Sequence, residues 1–66
     1  MAGIETLTGV TKIDNYLYEV TGGLVSVGAG IDDIEYSTFI QKDGGLLNFD
    51  NGCTTTFTRC NFIETV

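Results

Sequence analysis

Apolar and polar residues alternate along much of this chain, which is the pattern of half-buried β-strands. The clearest stretch is 35–59, EYSTFIQKDGGLLNFDNGCTTTFTR, in which two Asp/Asn-Gly pairs separate runs rich in β-branched and aromatic residues. Asp43-Gly44 and Asn51-Gly52 readily adopt the positive φ angles that a two-residue type I′ hairpin turn requires. The pattern therefore predicts a three-stranded antiparallel meander over about residues 34–60.

The first half of the chain has the same pattern. Gly22-Gly23 is a further hairpin signal, and it would place Val20 opposite Val25. A turn at Asp14-Asn15 would add one more strand on the same apolar side. These signals predict a first antiparallel meander over about residues 4–29.

A short helix over residues 33–42 is the alternative for the segment that opens the second meander. Asp32 and Glu35 have the spacing of a capping box, in which each residue satisfies a backbone N–H group of the other at a helix start. However, positions 36–40 are mostly β-branched or aromatic, and Asp43-Gly44 follows as a turn. The strand interpretation is therefore favoured.

Packing the apolar faces of the two meanders together gives one small all-β domain over residues 1–66, a six-stranded antiparallel sandwich or barrel. No internal repeat is convincing at the level of individual residues. The predicted core consists of Leu7, Ile13, Tyr16, Tyr18, Val20, Val25, Val27, Tyr36, Ile40, Leu47 and Phe49.

The C-terminal segment 61–66 extends beyond the strand that would pair with the end of the second meander. Its backbone N–H and C=O groups would form a template for another strand, either of the same chain or of another subunit. The chain contains no proline, a residue that often blocks edge strands. We therefore expect this segment to pair with a strand.

Composition favours an oligomer or an assembly subunit. Hydrophobic residues make up 42% of the 66 residues and charged residues 18%, below the usual ~25%. So small a chain has little interior in which to bury its apolar side chains, so some should meet a partner. Tyrosines are enriched at interfaces, and the C-terminal segment is apolar. The predicted interface residues are Tyr16, Tyr18, Phe62, Ile63 and Val66, where for the two tyrosines an interface is the alternative to the core.

The net charge of −6 argues against nucleic-acid binding. The only cations are Lys12, Lys42 and Arg59, and they are scattered along the chain, whereas a phosphate-binding surface needs clustered cations. The acidic surface leaves open a second class of function, a small binding or inhibitor module that caps a basic partner.

No signal peptide or membrane-spanning stretch is visible in the sequence. We therefore expect synthesis in the cytoplasm, no contact with a membrane, and possible incorporation into a larger particle.

Residues that carry chemistry are few, so no enzyme activity, cofactor or metal site is predicted. The chain has no histidine, and its glycines form no phosphate-binding motif. Asp43, Asn48, Asp50 and Asn51 offer oxygen ligands of the kind calcium prefers, but turn geometry explains them better. Two cysteines seven positions apart, predicted to lie in one strand between 53 and 60, should be too distant for a disulfide and remain free thiols.

The sequence therefore predicts a non-enzymatic structural protein. It would be a small subunit that packs by β-edge and apolar contacts into a multi-copy complex, such as the cement or decoration subunit of a virion. The acidic binding module is the alternative.

Overall fold

The computed structural model describes residues 1–65, which form eight short strands and one turn of 3-10 helix over Ile4–Thr6. The strands in chain order are β1 Val10–Asp14, β2 Leu17–Thr21, β3 Leu24–Val27, β4 Ile34–Glu35, β5 Thr38–Lys42, β6 Leu46–Phe49, β7 Phe57–Thr58 and β8 Asn61–Glu64. Within residues 1–65 no helix is long and apolar enough to cross a membrane.

From β2 onward, each strand pairs in parallel with the strand three further along the chain. β2 pairs with β5, β5 with β8, β3 with β6, and β4 with β7. Paired residues lie about 22 positions apart, which is within the range of structural repeats in solenoids. The chain therefore winds into a short β-solenoid with three faces, and each face holds one strand of every coil.

The N-terminal hairpin lies below the first coil. β1 pairs antiparallel with β2, and the chain reverses between them at Asn15-Tyr16, one residue later than the turn predicted at Asp14-Asn15. The first face is therefore a four-stranded sheet in the order β1-β2-β5-β8, while the other two faces, β3-β6 and β4-β7, have two strands each.

Two of the predicted turns have the expected backbone but a different role. Gly22 and Gly23 have φ angles of 77° and 131°, and Asp43 and Gly44 have φ angles of 54° and 80°. The Gly45 N–H closes the second turn by donating to the Lys42 carbonyl at 2.8 Å. Both turns nevertheless connect strands of different faces, so they are corners of the solenoid and the hairpins predicted at them are wrong.

The turn at Asn51-Gly52 also differs from its prediction. Neither residue has a positive φ, and the turn is closed by the Cys53 N–H donating to the Asp50 carbonyl at 2.9 Å. The long strand predicted over residues 53–60 is wrong, since only Phe57–Thr58 is strand there.

The all-β class is confirmed, but the six-stranded antiparallel sandwich or barrel is not what the chain forms. Its sheets contain parallel pairs and remain open, and neither predicted meander exists as a paired unit. The strand interpretation of residues 33–42 is confirmed by β4 and β5. The prediction that the C-terminal segment pairs with a strand is also confirmed, because β8 pairs with β5 of the same chain. Val66 lies outside the described residues.

The core lies between the three faces. Its buried apolar residues are Ile4, Val10, Tyr18, Val20, Val25, Val27, Ile31, Ile34 and Phe39. Of the predicted core, Tyr18, Val20, Val25 and Val27 are confirmed, while Leu7 and Leu47 are partly buried against it.

Five core predictions are wrong, and two of them, Tyr36 and Ile40, follow from the direction of side chains in β5. Tyr36 has a φ of 56° and precedes a strand in which Phe39 points inward, so Ile40 points outward and Tyr36 is exposed. The predicted hairpin required the opposite parity. Ile13 and Phe49 are also exposed, because β1 is an edge strand and the last coil is uncovered, and Tyr16 is exposed in the turn between β1 and β2, where its φ is 66°.

The close approach of Gly45 to β2 gives a test of the coil geometry. A Cβ at Gly45 would collide with the backbone carbonyl of Val20, whereas a Cβ at Gly52 would meet no atom within 4 Å. Because backbone must shift to admit it, we expect Gly45→Ala to lower the free energy of unfolding by about 1–3 kcal/mol. Gly52→Ala is the matched control and should change it by less than about 0.5 kcal/mol. Urea unfolding followed by circular dichroism measures both, and equal stabilities would contradict this packing of β2 against the β5–β6 corner.

Candidate functional site

A ladder of three aromatic rings runs through the first face of the solenoid. Tyr18, Phe39 and Phe62 occupy paired positions of β2, β5 and β8. The ring centroids of Tyr18 and Phe39 are 4.9 Å apart at an interplanar angle of 11°, and those of Phe39 and Phe62 are 5.3 Å apart at 9°. These are stacked rings, an arrangement that parallel in-register pairing produces directly.

At the C-terminal end the ladder joins a cluster of rings contributed by all three faces. Phe49 of β6, Phe57 of β7 and Phe62 of β8 approach one another with ring centroids 5.2–6.3 Å apart. Phe57 also meets the edge of Phe39 in the coil below, at 5.9 Å. These rings fill the interior of the last coil, which is formed by β6, β7 and β8, in the way that Tyr18 and Phe39 fill the earlier coils.

This ring cluster is open to solvent. Phe49 is 48% exposed and Phe62 is 42% exposed, although both belong to the interior of the coil. Beside them Ile63, on the outer side of β8, is 46% exposed. We call this surface, made of Phe49, Phe57, Phe62 and the free edge of β8, the open end.

The backbone at the open end is also unpaired along one side. β8 is the last strand of its sheet among residues 1–65, so one of its edges has no partner there. The Asn61 N–H donates to the Ser37 carbonyl and the Thr65 N–H donates to the Gln41 carbonyl. Because N–H and C=O groups alternate in direction along a strand, those of Phe62 and Glu64 point away from β5, toward the free edge. Such an edge is a template for another strand.

The opposite end of the solenoid is closed by the N-terminal segment. Ala2 forms a parallel bridge with Ile31, and Ile4 is completely buried beneath the first coil. The Thr21 N–H donates to the Gly9 carbonyl, which joins this segment to β2 through β1. Most exposed side chains of the segment are polar, namely Glu5, Thr6, Thr8, Thr11, Lys12 and Asp14, but Met1 and Ile13 are also exposed there.

The predicted interface residues are divided between these two regions. Phe62 and Ile63 lie together at the open end. Tyr18 is buried inside the ring ladder, and Tyr16 lies 62% exposed at the corner before β2, toward the closed end. Val66 lies outside the described residues. Sequence reasoning did not identify Phe57, and it assigned Phe49 to a closed core.

A second surface feature is a broad, polar cleft beside Tyr16. It is lined by Lys12, Asn15, Tyr16, Tyr18, Asp33, Ile34, Glu35 and Ser37. The side chains already have structural roles, since Asp33 accepts a hydrogen bond from the Thr56 N–H and the Ser37 hydroxyl donates to the Glu35 carbonyl. It therefore has the character of solvated surface over a structured corner.

Residues 1–65 contain no group of three or more His, Cys, Asp or Glu side chains that could hold a metal ion. Cys53 and Cys60 are both free and half-buried. The Cys60 thiol lies 3.5 Å from the Thr58 carbonyl and 3.7 Å from the Ile34 carbonyl, as a weak donor within the coil.

The environment of Tyr18, the first ring of the ladder, can be tested through the pH dependence of stability. Burial, the Glu5 carboxylate and the Cys60 thiol together raise the pKa of Tyr18 above its ordinary value of 10.0. In the unfolded chain Tyr18 loses its proton first, so its contribution to stability is fully present below pH 10 and is lost as the pH rises toward the folded pKa. We expect urea stability to fall less steeply above pH 10 in Tyr18→Phe than in the wild type. Tyr16→Phe, which removes an exposed hydroxyl, is the control, and equal slopes for Tyr18→Phe and wild type would contradict the raised pKa of Tyr18.

Comparisons of the chain with protein-family models, with curated proteins and with solved structures find no match. The candidate site is therefore defined by the geometry of this chain alone, as the open end of a short β-solenoid.

Proposed function

We propose that this chain is a non-enzymatic structural protein that joins a multi-copy assembly through its open end. The observation that supports this is the difference between the two ends of the solenoid. The N-terminal end is covered by its own segment with Ile4 buried, whereas the C-terminal end leaves the rings of Phe49 and Phe62 and one edge of β8 uncovered. Solenoids need polar terminal caps to remain separate in solution.

Covering the open end would stabilise an assembly in two ways. Each Å² of apolar surface removed from water contributes about 25 cal/mol, so covering two partly exposed phenylalanine rings contributes on the order of 1–3 kcal/mol. The free N–H and C=O groups of Phe62 and Glu64 would gain hydrogen-bond partners, each worth about 1 kcal/mol. A domain of this size has a total stability of only a few kcal/mol, so these contributions are substantial.

The multi-copy particle that we favour is a viral one, with the chain as a cement or decoration subunit. Small size, an apolar composition and strand edges suited to pairing between chains support this choice. The assignment to a particle is open to direct test by locating the chain in purified particles from its source.

The alternative is an acidic module that caps a basic partner. It is favoured by the nine acidic residues, of which Glu19 alone forms an ion pair among residues 1–65, with Lys42 at 3.4 Å. Salt separates the two proposals. Capping by charge weakens steeply as ionic strength rises, whereas apolar association between chains of the same net charge holds or tightens.

We expect the purified chain to self-associate with rising concentration, and Phe62→Asp to abolish this association. The substitution places a charge among the rings of the last coil. Leu24→Asp is the matched control, because Leu24 is 72% exposed on the outer side of β3, away from the open end, and its replacement adds the same charge. Sedimentation velocity at low and high salt measures the association, and circular dichroism establishes that each variant is folded.

Two results would contradict the proposed function. One is a wild-type chain that associates only with a basic protein and loses that association at high salt. The other is an equal loss of self-association in Leu24→Asp and Phe62→Asp, since the open end would then have no special part in it.

A further inference from the structure

We propose that the partner covering the open end is a second copy of this chain, related by a two-fold axis, so that β8 of one copy pairs antiparallel with β8 of the other. This inference rests on the proposed function, which requires that the open end be covered but does not identify by what. The product is a closed tail-to-tail dimer, which would be the unit from which any larger assembly is built.

The surfaces of the two ends favour a tail-to-tail pair over a head-to-tail stack of copies. In such a stack the open end of one copy would meet the closed end of the next, where the charged side chains of Glu5, Lys12 and Asp14 are exposed beside Met1 and Ile13, and Ile4 is already covered. Burying that polar surface against the rings of Phe49 and Phe62 would leave polar groups without partners. An apolar open end is matched better by another open end than by this charged surface, and a two-fold axis brings the identical surfaces together.

The backbone of β8 is compatible with this arrangement. The N–H and C=O groups of Phe62 and Glu64 face the free edge. This follows because the N–H groups of Asn61 and Thr65, on the alternate residues, face the other way and donate to the Ser37 and Gln41 carbonyls. In an antiparallel pair, two directly opposite residues exchange both of their hydrogen bonds. If Phe62 lies opposite Phe62 of the second copy, each edge-facing N–H meets an edge-facing C=O.

The side chains select the same register. Phe62 points into the solenoid, so a coaxial pair must place inward residues opposite inward residues, and Phe62 opposite Phe62 extends the ring ladder from three rings to six. Sliding the pairing by one residue on each copy would instead bring the Glu64 carboxylate over the Phe62 ring, which would bury a charge.

Charge complementarity supports this register. With Phe62 opposite Phe62, Glu64 lies opposite Cys60 of the second copy and therefore next to its Arg59. Both Arg59 and Glu64 are exposed, and Arg59 is one of three cations in a chain of net charge −6. The two-fold axis would form this carboxylate–guanidinium pair twice.

The expected dimer is reversible. The molecule measures 29 × 22 × 17 Å, so any single flat side projects at most roughly 600 Å², compared with about 800 Å² per partner in a stable interface of standard size. We therefore expect a concentration-dependent equilibrium between monomer and dimer in place of a permanent dimer.

The backbone pairing is tested by N-methylation, which a chain of 66 residues permits through chemical synthesis. We expect an N-methyl group on Phe62 to weaken dimerisation by at least about tenfold, because it removes the two symmetric hydrogen bonds and blocks close approach of the strands. The same group on Lys12 is the control. Lys12 lies on β1, the other edge strand of the sheet, and the Thr21-to-Gly9 bond implies that its N–H also faces away from β2.

Sedimentation equilibrium gives the mass and the dissociation constant, and thermal melting establishes that the intrachain fold persists. A wild-type species of twice 7.1 kDa, weakened only by N-methyl-Phe62, supports the proposal. Species larger than a dimer, or equal weakening by N-methyl-Lys12, would overturn it in favour of a head-to-tail stack. Self-association that needs Phe62 but ignores both N-methyl groups would overturn the strand pairing while leaving the proposed function intact.

The register is tested by charge exchange. We expect Arg59→Glu to weaken the dimer by at least about fivefold, since two attractive pairs become repulsive. Adding Glu64→Arg to the same chain should restore affinity to within about twofold of the wild type, because both pairs re-form with reversed sign. If the double variant is as weak as Arg59→Glu alone, or if Arg59→Glu has no effect, the Phe62-centred register is wrong.

Discussion

The stacking of Tyr18, Phe39 and Phe62 is the interaction on which the rest of the fold depends. Each ring covers its neighbour only if β2, β5 and β8 run parallel and in register. That requirement forces the chain to complete a full coil before it returns to the same face, and the strands of the other two faces are paired as a consequence. The ladder and the three small sheets therefore form together, and none of the two-stranded faces would be stable alone.

A solenoid this short has few interior layers, so its ends account for much of its stability. At the N-terminal end the chain supplies its own cover, since Ile4 fills the space beneath the first coil and β1 pairs with β2. At the C-terminal end the rings of Phe49 and Phe62 are the last layer among the described residues, and both are nearly half exposed. Part of the apolar surplus of the composition thus lies at the open end, in rings that a further coil would cover.

The local features of the fold could be predicted from the sequence, but the partners of its strands could not. Gly22-Gly23 and Asp43-Gly44 were identified as positive-φ turns, and four core residues of β2 and β3 were assigned correctly. A turn of this kind only redirects the chain, and whether the flanking strands then pair with each other depends on contacts far away in sequence. Here the ring ladder and the parallel pairing of β3 with β6 take precedence over the hairpins.

A sequence signal for the solenoid was nevertheless present. GGLVSV at 22–27 and GGLLNF at 44–49 have the same pattern. In the structure their last four residues pair in order, from Leu24 with Leu46 to Val27 with Phe49. The repeat is obscured because the segments joining the second and third faces, residues 28–33 and 50–56, differ in length and have little in common beyond Gly30 and Gly52. Corners and inward positions of a coil are constrained by packing, whereas a connecting segment over the surface is free to vary.

The inward column beside the ring ladder changes character from one end of the solenoid to the other, and this bears on the reversibility of the proposed assembly. Its paired positions are Val20, Gln41 and Glu64, which progress from apolar to amide to carboxylate toward the open end. Gln41 is buried but satisfied, since its side-chain oxygen accepts the Leu47 N–H at the next corner, and Glu64 is exposed. A wholly apolar last layer would drive irreversible aggregation, and a wholly polar one would leave nothing to associate. With rings and a carboxylate side by side, the open end tolerates water and still gains from being covered, which is the balance that a reversibly assembling subunit requires.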